Sequence, residues 1–175
     1  MSRRFRILVA ALSILGPSVH GVAQISREAA LEGLFPGAEF AAERVFLTEA
    51  QRSRAEELSR VDVDSLLIAR YVISRDGEEV GRAYIDTHVV RTKDESLLVV
   101  LNPDGTVRRV EVTAFLEPPE YMGSEAWYAQ YQPHGLTDEL NLQRAIRPIA
   151  GASLTGRATT RAVRRVLAID QALNE

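Results

Sequence analysis

A loop of small residues near the C-terminal end has the composition of an anion-binding site. Residues 149–156 read Ile-Ala-Gly-Ala-Ser-Leu-Thr-Gly, and the segment after them carries apolar residues at helical spacing. The loop is therefore predicted to lie at a helix N-terminus, where unpaired N–H groups and the helix dipole attract phosphate. Gly151 and Ala152 would let a ligand approach the backbone, and Ser153 and Thr155 would supply hydroxyls. Either hydroxyl can instead serve only as a helix cap.

The other reactive residue types form weaker patterns. His88 and His134 lack a metal-ligand spacing, so we predict no metal site. Ser153 lacks the Gly-x-Ser-x-Gly elbow, so a hydrolase is the weakest hypothesis and no catalytic residue is predicted. Glu117 and Glu120 could form a pair of acids, but a proline-rich loop favours solvated side chains.

The composition is typical of a single domain without cysteine. The chain has 175 residues, of which 46% are hydrophobic, enough to bury one core. Because there is no cysteine, disulfides, thiolate-bound iron–sulfur clusters and cysteine zinc sites are excluded.

The first residues are typical of an export signal. Three arginines precede the apolar run 7–15, which is too short to span a bilayer, and small residues precede Gln24. We predict a signal peptide over residues 1–23 and one periplasmic or membrane-associated domain over 24–175; an uncleaved anchor is the alternative. Cleavage removes three arginines and no acid, so the formal net charge changes from −3 to −6. An acidic domain is a poor nucleic-acid binder.

Turn signals predict an α+β fold with an antiparallel sheet. Asp76-Gly77 and the turn at 102–105 each separate two runs of strand-forming residues, which indicates two successive hairpins. The alternation of Leu98 and Val100 on one strand, and of Val110 and Val112 on the next, predicts a buried face. The predicted strands span 66–74, 80–87, 96–101 and 107–115, after an extended piece at 38–46.

Helices are predicted to flank this sheet. Ser26 can cap the first, and Thr48 with Gln51 has the spacing of a capping box for the second. A short helix is predicted at 140–146, and the last helix opens at the small-residue loop.

The end of the chain resembles a known family signature. Residues 147–155, followed by an Ala- and Val-rich helix, are similar to the Ser-Gly-Ala-Thr-Leu-Thr signature of the FMN-binding domain family. That family includes the C subunit of sodium-translocating NADH:quinone reductase and the G subunit of ion-translocating ferredoxin:NAD reductases. An export signal, hairpins with Asp-Gly turns, an aromatic segment around Trp127 and a terminal helix are compatible with it.

The resemblance implies FMN as the cofactor. In the family, the last threonine of Ser-Gly-Ala-Thr carries FMN through a phosphoester made by a separate flavin transferase, and Ser153 stands at that position. Ala150 and Arg147 replace the hydroxyl residue and the acid that are common in the modified members. The expected attachment is therefore either covalent through Ser153 or non-covalent.

The resemblance also implies a site and a role. Arg147 or Arg157 could neutralise the phosphate charge from a flank, and Trp127 with Tyr128 would wall the flavin ring. The expected role is electron transfer between redox partner proteins at the membrane, as a carrier more than an enzyme. The alternative is a non-redox envelope interaction domain that has lost flavin. The expected cofactor-binding residues are Gly151, Ala152, Ser153, Leu154, Thr155, Arg157 and Trp127.

Overall fold

The computed structural model of the chain describes residues 26–175. The predicted signal peptide, residues 1–23, lies outside the described residues. Within residues 26–175, no helix is long and apolar enough to cross a membrane.

Five antiparallel strands form one sheet, in which each strand pairs with the next along the chain. Both predicted hairpins are present, and the extended piece at 38–46 forms one of the two edge strands. Asp76 and Gly77 have φ of 54° and 82°, the positive values that a two-residue hairpin turn requires. The strands are β1 (Glu39–Phe46), β2 (Leu67–Arg75), β3 (Glu78–Val89), β4 (Asp94–Leu101) and β5 (Val107–Phe115).

Helices flank the sheet as predicted. The Ser26 hydroxyl accepts a hydrogen bond from the Ala29 N–H at 3.1 Å, and Thr48 and Gln51 form the expected capping box. The helices are α1 (Arg27–Leu34), α2 (Glu49–Ser59), α3 (Glu125–Tyr128) and α4 (Ser153–Asn174). The fold is therefore α+β, with the longest helix beginning at the small-residue loop.

Strand β4 is buried on both faces. Leu98 and Val100 pack with α1, whereas the residues alternating with them pack with α4. Val110 and Val112 lie on the α4 face, because β5 places Val110 opposite Val99. The single buried face predicted from these residues is thus two faces, each covered by a different helix.

The prediction of a short helix at 140–146 is wrong. The segment forms successive turns, with Gln143 at φ 66° and a bridge between Leu142 and Ile146. A positive φ at a non-glycine residue interrupts a right-handed helix. Leu140 and Ile146 are nevertheless fully buried, so their apolar character anchors a loop to the core.

Candidate functional site

The loop opens α4 without a side-chain cap. Ala152 is the N-cap residue, and no side chain among residues 26–175 caps this helix. Ser153 is exposed, whereas the buried Thr155 donates its hydroxyl hydrogen to the Tyr121 carbonyl oxygen at 2.8 Å. Capping by either hydroxyl, the simple alternative, is therefore wrong. The first N–H groups of α4 therefore have no side-chain acceptor among residues 26–175.

The backbone of the loop is shaped for close approach. Gly151 has φ of 78°, a conformation that side-chain-bearing residues rarely adopt. Space around it is open, since a Cβ at this position would meet no atom within 4 Å. A ligand can thus reach the main chain directly before the helix.

A small cavity of about 220 Å³ lies against the loop. Arg91 and Tyr121 contribute to its walls together with residues 151–155. Glu117 also lines it, but its carboxylate accepts hydrogen bonds from the backbone N–H groups of Thr92 and Lys93 at 2.7 and 2.8 Å. Those bonds lower the pKa of Glu117. Glu117 therefore fixes the turn between β3 and β4, and this bonding accounts for its burial without an acid partner.

A larger cleft of about 660 Å³ lies beside the small cavity. Leu154 and Val90 line both spaces, so the two meet at the start of α4. The cleft runs between α4 and the β2–β3 side of the sheet, and Arg157 contributes to its α4 wall. Its volume falls in the range of about 300–1,000 Å³ that small-molecule sites occupy.

Trp127 lies beneath the helix start. It is buried, its indole N–H donates to the Arg147 carbonyl oxygen at 2.6 Å, and its ring meets Tyr128 and Tyr131 edge-on. A Cβ on Gly156 would lie 3.6 Å from the Trp127 ring, so the helix rests on it. The structure therefore places Trp127 as a support of the loop, and Tyr121 is the aromatic residue that lines the small cavity.

Sequence reasoning missed a cluster of polar side chains in the wall of the larger cleft. Asp86 and His88 stand two residues apart on β3, and Glu95 lies opposite His88 on β4. Nδ1 of His88 is 2.9 Å from Asp86, and its Nε2 is 3.0 Å from Glu95. Arg165 of α4 donates two hydrogen bonds of 2.8 Å to Asp86. The spacing of Asp86 and His88, which puts both side chains on the same face of a strand, was the available signal.

The cluster is electrostatically coupled. Burial disfavours the charged form of His88, but hydrogen bonds to Asp86 and Glu95 outweigh it and raise the pKa of His88 to about 9. Burial likewise opposes ionisation of Asp86, yet His88 and Arg165 lower the pKa of that carboxyl. The hydroxyls of Tyr128 and Thr159 donate to the fully buried Glu95 at 2.9 and 2.8 Å. Every member thus has a partner.

These residues fit the two parts of FMN. The uncapped helix start, the exposed Ser153 hydroxyl and Arg157 provide donors and positive charge suited to a phosphate. The adjoining cleft has the size and the mixed apolar and polar walls suited to a ring system, with Leu154 at the junction.

Comparison with known proteins identifies the same cofactor. Residues 93–168 match the family model described as the FMN-binding domain. The matched range runs from β4 through the aromatic segment and the small-residue loop into α4. No match was found among curated proteins or among solved structures. The resemblance first seen in the loop is confirmed over residues 93–168, which are similar to the FMN-binding domain.

Proposed function

We propose that this chain is an exported electron carrier that holds the phosphate of FMN at the start of α4. The uncapped first turn, within the range that matches the FMN-binding domain, is the observation that carries the proposal. When bound, FMN supplies reversible transfer of one or two electrons. The protein supplies binding, orientation and electrostatics.

The phosphate is proposed to accept hydrogen bonds from the N–H groups of residues 153–155. Arg157 on the next turn adds positive charge, and it has no ion-pair partner among residues 26–175. Ser153 is exposed beside these donors, so its hydroxyl is open to a flavin transferase. Ser153 is therefore the proposed site if the phosphate becomes esterified.

Exposed apolar side chains support a role as a carrier. Leu154 and Tyr121 at the small cavity and Val89 at the larger cleft are 45%, 38% and 59% exposed. Such residues let a partner protein approach a flavin held between them. We propose redox partner proteins at the membrane, with export directed by residues 1–23.

Two measurements on the full chain test this function. The protein is co-expressed with a flavin transferase and its fluorescence is examined on a denaturing gel; unmodified protein is titrated with FMN. We expect bound flavin in at least one of the two experiments. Fluorescence that survives denaturation identifies the covalent mode, and binding only in the titration identifies the non-covalent mode.

A variant pair assigns the attachment. Ser153→Ala should lose flavin fluorescence on the gel and retain FMN binding in the titration. Ser53→Ala is the matched control, because Ser53 is exposed on α2, outside both cavities. Absence of flavin from the wild-type protein in both experiments would contradict the proposal and favour the non-redox envelope domain.

A further inference from the structure

The polar cluster of the larger cleft fixes the charge of His88 by geometry. Both ring nitrogens of His88 contact carboxylate oxygens, those of Asp86 and Glu95. An ionised carboxylate only accepts hydrogen bonds, and only the imidazolium carries a hydrogen on both nitrogens. Tyr128 and Thr159 also donate to Glu95, which suits its ionised form. His88 is therefore a positive charge in the cleft wall.

The cluster that contains this charge has no net formal charge. Asp86 and Glu95 provide two negative charges, and His88 and Arg165 provide two positive ones. Because each N–H of the imidazolium donates to a carboxylate, His88 stays protonated in neutral solution. The charged or titratable groups that contact this cluster or line the cleft with it are Asp86 on β3, Asp94 and Glu95 on β4, Arg157, Arg161 and Arg165 on α4, Tyr128 on α3, Tyr84 on β3 and Asp64 before β2.

We propose that the flavin ring occupies the larger cleft and that the His88 imidazolium stabilises the negative charge gained by the ring on reduction. The inference rests on the proposed function, because it requires FMN at the adjoining helix start. His88 lines the same cleft as Leu154, which joins that cleft to the phosphate loop. The positive charge of His88 near the ring favours the reduced form and raises the midpoint potential of the flavin relative to a neutral side chain at this position.

The charge balance of the reduction defines the role of His88. The oxidised ring takes up two electrons, from dithionite in the experiment or from a reduced partner protein in the cell. It also takes up one proton from solvent, and the reduced ring is left with one net negative charge. His88 retains its own proton throughout, so it acts as a fixed charge and donates nothing to the flavin.

Spectroelectrochemistry of the flavin-loaded chain tests the proposal. His88→Gln removes the charge, and we expect the equilibrium constant for reduction at pH 7 to fall about tenfold, which is about 30 mV for a two-electron couple. His134→Gln is the matched control, because His134 lies outside both cavities beside Val107. Circular dichroism and the bound-flavin ratio verify that each variant is folded and loaded.

The pH dependence separates a charge effect from a structural one. NMR titration of the flavin-free protein should place the pKa of His88 at about 9. The difference in flavin midpoint potential between the wild type and His88→Gln should persist up to pH 8 and disappear above that pKa. If the variant does not fold, the same transition should appear when the wild type is titrated alone.

Each outcome has a definite consequence. Equal potentials for the wild type and His88→Gln at pH 7, or a wild-type potential without a transition at the measured pKa of His88, would overturn the inference and leave the proposed function standing. A chain that binds no flavin would overturn the proposed function, and the inference with it.

Discussion

The two ends of α4 differ in how their polar groups are paired. At its far end, Asp170 is buried and accepts hydrogen bonds from Arg82 at 2.5 and 2.9 Å and from Tyr84 at 2.7 Å. At its start, no side chain among residues 26–175 provides a cap, and Ser153 is exposed. A complete polar network holds the far end of the helix on the sheet, whereas the backbone donors at the start have no side-chain cap among the described residues.

Substitutions in the polar network at the far end of α4 are expected to cause the largest loss of stability. Asp170→Ala would leave the Arg82 guanidinium buried without its main partner, and removing one member of a buried pair costs about 3–5 kcal/mol. Urea denaturation should show this loss in the free energy of unfolding. Asp138→Ala is the control, since the exposed Asp138 pairs with an exposed Arg60 and should cost less than about 1 kcal/mol. Equal losses would contradict the assignment of stability to the far end.

The His88 cluster, between the two ends, should make stability depend on pH. The pKa of His88 is raised from 6.5 to about 9 on folding, chiefly by its two carboxylates against the effect of burial. The resulting stabilisation is complete below pH 6.5 and is lost as the pH rises through 9, on the order of 3 kcal/mol. Denaturation of the wild type and His88→Gln across this interval measures it. If the stability advantage of the wild type over His88→Gln grew with increasing pH, the predicted direction of the pH dependence would be wrong.

At the open end, a charge change should affect binding and spare stability. Arg157→Gln should weaken FMN binding by about tenfold, because a charge-assisted contact to phosphate is lost. The free energy of unfolding should change by less than about 0.5 kcal/mol, as for other surface substitutions. Arg161→Gln, one turn further and paired with Asp62 at 3.7 Å, should have the smaller effect on binding. Fluorescence titration with FMN measures the affinity of each variant. Equal losses of affinity in Arg157→Gln and Arg161→Gln would show that Arg157 does not contact the phosphate.

The smallest effect is expected from Thr155, which joins the open end to the segment that contains Tyr121. Thr155→Val removes the hydrogen bond to the Tyr121 carbonyl oxygen and should cost about 1 kcal/mol. Thr155→Ser keeps the hydroxyl and should recover most of this loss in thermal denaturation. No recovery by serine would assign the cost to packing of the methyl group.

The sequence predicted those parts of the molecule that depend on local signals. The capping box at Thr48, the Asp76-Gly77 turn and the start of α4 each depend on residues within a few positions of one another. The position of the small-residue loop at a helix start could be predicted for the same reason, because its small residues and the following helical spacing are contiguous.

The parts that could not be predicted depend on distant contacts. The loop at 140–146 is held by the Arg164 guanidinium, which donates to the carbonyl oxygens of Thr137 and Leu140. The cluster around His88 joins β3, β4 and α4, and its members become neighbours only when the sheet and helix have packed. The residue pattern within a single strand or helix cannot predict such contacts between elements.

The most direct test of the account is an NMR titration of the full chain with FMN. We predict that the backbone amide resonances of Ser153, Leu154 and Thr155 shift on binding, while that of Asp170 at the far end stays in place. Binding of FMN that leaves the amides of residues 153–155 unmoved, or shifts confined to the far end of α4, would contradict a phosphate site at the start of the helix.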